Sequence, residues 1–100
     1  RGLQFRKSME PGHGMLFVFP QSGEYPFWMK DTLIPLDMIW LDYSKKVVHI
    51  KANVPPCVSD PCPDYPPGAE AMYVLEINAH QADKAGIRLG DQAEFRIKKF

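Results

Sequence analysis

Six of the fifteen residues from Val54 to Gly68 are proline: Pro55, Pro56, Pro61, Pro63, Pro66 and Pro67. Proline locks φ and donates no backbone hydrogen bond, so this density is incompatible with a helix and with a long ladder of main-chain bonds. The segment is predicted to be a surface loop, and a loop of that length is more often functional or flexible than idle. Pro20, Pro26, Pro35 and scattered charges cut the rest of the chain into short apolar pieces. None approaches the ~20 residues of a membrane-crossing helix.

Pieces this short suit strands. Met15 to Phe19 is a continuous apolar run that fits a strand buried on both faces, ended by Pro20. Tyr25 to Lys30 is expected to return across Gln21-Ser22-Gly23-Glu24 and complete a hairpin, with Pro26 at its start or on an edge. Leu36 to Tyr43 and Val47 to Ala52 make a third and fourth strand across Ser44-Lys45-Lys46. In the fourth, Val48, Ile50 and Ala52 share the core face, while His49 and Lys51 face water. Ala71 to Ile77 sets Tyr73, Leu75 and Ile77 on one face and Met72, Val74 and Glu76 on the other. A last strand has Ala93, Phe95 and Ile97 inward and Glu94, Arg96 and Lys98 outward.

Helix is confined to two short stretches. Gly2 to Met9 has amphipathic spacing, stopped by Pro11-Gly12-His13-Gly14. Asn78 followed three residues later by Gln81 matches a capping box for a slim helix that ends by Gly86. With 100 residues there is room for one core, so residues 1–100 are expected to form a single domain. Too few crossover helices remain for parallel strand connections. The expectation is a mainly β (α+β) fold, a small antiparallel β-barrel-like domain with one or two short helices.

Twelve basic residues balance twelve acidic ones, which speaks against nucleic acid as a partner. Cys57 and Cys62 could close a short disulfide or remain thiols. Only His49 and His80 could join them around zinc, without a standard ligand spacing, so neither a metal nor another cofactor is expected. Hydrolase, kinase and metalloprotease motifs are missing.

The blocks Arg1-Gly2-Leu3-x-Phe5-Arg6, Gly14-Met15-Leu16-Phe17-Val18-Phe19, Phe27-Trp28-Met29-Lys30-x-Thr32-x-Ile34-Pro35-Leu36-Asp37, Tyr73-Val74-Leu75-Glu76 and Gly90-Asp91 run in order along nearly the whole chain. In these blocks the sequence resembles the uncharacterised DUF192 family of small bacterial and archaeal β-rich proteins. The resemblance implies a compact β-barrel-like domain with little helix, and no assigned activity. Asp31 stands where the family usually has Asn, and His80 where it has Gly. Family members tend to carry a strand before the Arg-Gly-Leu block, so the chain is expected to lack an upstream N-terminal strand. Many resembling proteins look exported, which favours an exported or periplasmic location and fits an oxidised cysteine pair.

The strongest candidate site is Trp28-Met29-Lys30-Asp31-Thr32 followed by Asp37, which gathers an indole, carboxylates, an ammonium and a hydroxyl at a corner between strands. Trp28 could equally be core, with Asp31 and Thr32 organising a turn and Asp37 bonding backbone amides. Glu76 lies on a strand face with Met72 and Val74; if that face is buried, its charge needs a partner such as Arg6, Arg1 or Lys30, or it is a carboxylate in a cleft. The expected function is a non-enzymatic ligand-binding or accessory domain. Its ligand would be small and polar or carbohydrate-like, held by Arg6, Trp28, Asp31, Thr32, Asp37 and Glu76. Two rivals remain: an enzyme using Asp37 or Glu76 as acid or base, and a protein-interaction module acting through the proline-rich loop 54–68.

Overall fold

In the computed structural model, which describes residues 3, 4, 6–10 and 12–95, the chain is mainly β. Its elements are β1 (Gly14–Gly23), β2 (Phe27–Trp28), β3 (Leu36–Leu41), β4 (Val47–Val54), β5 (Asp64–Tyr65), β6 (Ala71–Asn78) and α1 (Gln81–Ala85). Strands β1, β6, β3 and β4, in that order, form an antiparallel sheet, and β2 pairs with β5 in a second, two-stranded one. The larger sheet is open, with β1 and β4 at its edges, so its barrel likeness is loose.

All six residues of β3 are buried, because both faces of the sheet are covered there. Leu36, Met38 and Trp40 join Leu3, Met29, Ile34, Val54, Ala71 and Val74 in the larger core, beneath β2 and the long loop. Ile39 and Leu41 face the other way, toward Val47 of β4 and Ala82 of α1. Trp40 is fully buried, and its indole N–H is satisfied by the Tyr25 carbonyl at 3.1 Å. Phe27 meets Phe17 edge-on at 5.0 Å and Trp40 at 6.2 Å, which lays residues 25–28 across the larger core.

Strand β6 alternates as expected: Val74 enters the larger core, while Tyr73, Leu75 and Ile77 pack on the opposite face. Several other expectations are corrected. Strand β1 pairs with β6 and not with residues 25–30, so the hairpin does not form. It is also an edge strand covered on one face only, which leaves Leu16 and Val18 exposed. Two bulges interrupt β3–β4 pairing, where Trp40 faces His49 but Leu41 faces Val47, and where Leu36 faces Val54 but Met38 faces Lys51. An extra residue in one strand breaks strict alternation. Val48 therefore packs on the larger core and Ile50 on the opposite face, and His49 is half-buried beside Trp40, their rings 5.1 Å apart.

The proline-rich loop is more ordered than its composition predicts. It contributes β5, and Cys57 and Cys62 form a disulfide with sulfurs 2.13 Å apart. Among the described residues 3, 4 and 6–10 no helix forms. Asn78 does not cap α1; its amide donates to the Met9 carbonyl at 2.8 Å, and His80 occupies the cap position. The last strand is reduced to a bridge between Lys46 and Gln92, and residues 96–98 lie outside the described residues. Among the described residues no helix is long and apolar enough to cross a membrane.

Candidate functional site

Glu76 is positioned by its strand. On β6 it lies opposite Met15 of β1 on one side and Met38 of β3 on the other, so it points into the larger core between two thioethers. It is only 5% exposed, and no hydrogen bond or ion pair to its carboxylate is found among the described residues. Burial alone pushes its pKa up from 4.5 to about 7. The ion pair expected for Glu76 is therefore not formed by the groups proposed for it that are described. Lys30 binds Asp60 at 2.6 Å, and that bond, together with the nearby Asp60 and Asp31 charges, outweighs partial desolvation to raise the ammonium pKa. Arg6 is exposed, and Arg1 lies outside the described residues.

The carboxylate borders a cavity of about 270 Å³, open to solvent and lined by Leu3, Gln4, Phe17, Pro26, Phe27, Trp28, Thr32 and Glu76. Trp28 is half exposed at 51%, not core, because β2 is a two-residue strand at the margin and its indole turns outward. Thr32 is buried at 5%. Its backbone is fixed on two sides, with its N–H donating to the Met29 carbonyl at 2.8 Å and its carbonyl accepting the Cys57 N–H at 3.3 Å. The disulfide-closed loop thus forms one support of the cavity wall. Gln4 Nε2 is committed to the Lys30 carbonyl at 2.9 Å, which leaves its Oε1 as an acceptor.

Three of the six candidate residues, Trp28, Thr32 and Glu76, meet in this cavity; Arg6, Asp31 and Asp37 do not line it. Asp31 takes a left-handed φ of 57° and donates its N–H to the Cys57 carbonyl at 2.9 Å. Asp37 is fully buried on the opposite face of the sheet, level with Ile77. Its Oδ1 accepts from Asn53 N–H at 2.8 Å and His80 N–H at 3.3 Å, and its Oδ2 from Ala82 N–H at 2.9 Å. It is a structural clamp, and a paired role with Glu76 is excluded because the sheet separates them. Leu3, Gln4, Phe17, Pro26 and Phe27 were not singled out from sequence. Phe17 and Phe27 are apolar residues in strand-like runs, which is also the signature of ordinary core.

Among the described residues no group of three or more His, Cys, Asp or Glu side chains could hold a metal ion.

The fold and cavity define a class: a small antiparallel β domain, an open sheet with a short helix on one face and, on the other, a solvent-connected pocket around a buried acid. The chain belongs to the DUF192 family (Uncharacterized ACR), whose model matches residues 1–95. Two crystal structures are similar to it. A protein of unknown function from Novosphingobium aromaticivorans is 35% identical with a TM-score of 0.86 over 94% of this chain; the match spans 65% of that protein, just under two thirds. A "putative transcription regulator" from Sinorhizobium meliloti is 36% identical with a TM-score of 0.81, covering 91% of this chain and 68% of the other. No curated protein matches the chain.

Proposed function

We propose that this chain is a non-enzymatic small-ligand-binding or accessory domain, and that a small polar molecule binds between Trp28, Thr32 and Glu76. The observation that carries the proposal is Glu76 itself: a carboxylate only 5% exposed, without a protein partner among the described residues, on the wall of a cavity that solvent can enter. Burying an unpaired charge is costly, and a ligand that supplies the missing partner recovers that cost on binding. The cavity lies near the small end of the ~300–1,000 Å³ usual for ligand pockets and combines apolar walls with few polar groups, as such pockets do.

The two indoles allow a direct test by NMR. Trp28 is half exposed and Trp40 is buried with its N–H bonded, so they give distinguishable indole signals. Titration with small polyols, sugars, amines and carboxylic acids should yield binders that shift the Trp28 indole and the Thr32 and Glu76 amides. Binders that map only to residues 54–68 would instead favour an interaction role for the loop and would remove this proposal.

An acid–base role for Glu76 shares the same cavity and is favoured by its burial there, which pushes its pKa up to about 7 and so suits proton transfer near neutrality. In that reading a bound compound is turned over, and the reaction stops in Glu76→Gln while binding persists.

A further inference from the structure

The polar groups around the cavity are unbalanced. The carboxylate of Glu76 and the free Oε1 of Gln4 accept hydrogen bonds, and the Thr32 hydroxyl can do either. Among the described residues no Lys, Arg or His lines the cavity, so none of them would hold an anion there. The walls include three aromatic rings, Phe17, Phe27 and Trp28, whose faces attract cations through their quadrupoles, Trp most strongly. Hydrogen-bond acceptors and aromatic rings lining one cavity suit one kind of guest.

We infer that the ligand of this cavity is a small organic cation, an ammonium or guanidinium on a compact apolar body, whose charge pairs with the Glu76 carboxylate and whose body lies against Trp28. The inference rests on the cavity being a ligand site. A neutral polyol would fill the hydrogen bonds but leave the buried charge unmatched. A cation satisfies both, and the low local dielectric strengthens the pairing.

Binding of a cation also selects the ionised carboxylate, so affinity must follow the protonation of Glu76. Among the described residues the elements around that carboxylate present no other titratable group: β1 presents Met15 and Phe17, β3 Met38, β2 Phe27 and Trp28, and the N-terminal segment Leu3 and Gln4. At the corner after β2, Lys30 is held by Asp60, and neither Lys30 nor Asp31 lines the cavity.

The test is calorimetric titration of the folded chain with matched probes: benzylamine, agmatine and choline as cations, benzyl alcohol and glucose as neutral controls, and benzoate as the anion. The Trp28 indole signal locates each binding event. At least one cation is expected to bind ten times or more tightly than benzyl alcohol, with benzoate silent. Its affinity should fall by up to ~10-fold per pH unit as pH drops from 7 to 5, and by at least ~10-fold in Glu76→Gln at pH 8. Equal binding of benzylamine and benzyl alcohol at Trp28, or unchanged cation binding in Glu76→Gln, overturns the cation assignment while leaving a ligand cavity in place. Silence of the Trp28 indole toward every probe overturns both. If Glu76→Gln does not fold, the comparison of probes and the pH series in the unmodified chain decide the matter alone.

Discussion

The Asp37 carboxylate on the inner strand β3 accepts the N–H of Ala82 at 2.9 Å across 45 residues of chain, and so joins the start of α1 to the sheet. The same side chain accepts the N–H of Asn53, whose φ of 55° belongs to the bulged end of β4. Three segments that meet nowhere else in sequence are fastened at one buried acid. Removing it takes the shared acceptor away from these donors.

Asp37→Ala is therefore expected to cost on the order of 3 kcal/mol, and Asp37→Asn less, since Asn keeps one acceptor oxygen. Urea unfolding at pH 7 measures both. A loss below ~1 kcal/mol for the alanine variant would contradict the clamp.

Glu76 carries the opposite sign. Its pKa is raised from 4.5 to about 7 in the folded protein, so folding favours the protonated form. Below pH 4.5 both states are protonated and the group costs nothing. As pH rises toward 7 the unfolded chain releases a proton that the folded chain retains, and stability falls, levelling off above 7. At ~1.4 kcal/mol per pH unit the loss is at most about 3–4 kcal/mol. Glu76→Gln should flatten this part of the stability profile, and Glu76→Met, between Met15 and Met38, should be more stable than the parent at pH 8. Superimposable pH profiles for parent and Glu76→Gln would show that the carboxyl is solvated after all.

Asp31 and His80 both adopt left-handed backbone, at φ 57° and 74°. Asn and Gly tolerate that region best, so the demand at these positions is conformational. His80→Gly relieves the strain at the α1 cap and should raise stability by a few tenths to ~1 kcal/mol. The midpoint of thermal unfolding reports it; a marked drop would mean that the imidazole makes contacts worth more than the strain.

The disulfide closes a short loop between Cys57 and Cys62, and Cys57 is bridged by backbone bonds to Asp31 and Thr32. Opening it with Cys57→Ala and Cys62→Ala together should cost about 2 kcal/mol by loop entropy and quicken hydrogen exchange at the Asp31 amide. Exchange confined to residues 58–61 would show that the cavity wall does not depend on the disulfide.

Much of the architecture is legible in the chain. The stretch at residues 36–41, apolar but for Asp37, reads as a strand, though its burial on both faces came only with the structure, and the alternation at residues 71–77 assigns Val74 and Glu76 to one face and Leu75 and Ile77 to the other. Glu76 stood out because a charge on an apolar strand face has to be explained. Asp37 stood out as a carboxylate at a corner between strands, with bonds to backbone amides as the alternative; which amides, on two distant segments, no spacing rule reveals.

Sequence alone determined which stretches could be strands, where helix was forbidden and which acids were anomalous, because side-chain alternation and proline stereochemistry are local. Tertiary structure decided that β1 pairs with β6 and not with its neighbour, that two bulges reverse the facing of β4, and that Trp28, Thr32 and Glu76 share a cavity from which Asp37 is walled off. Strand pairing is chosen by the free energy of burying whole faces together, a sum over residues far apart in the chain. A site assembled from three segments exists only once that sum has been settled.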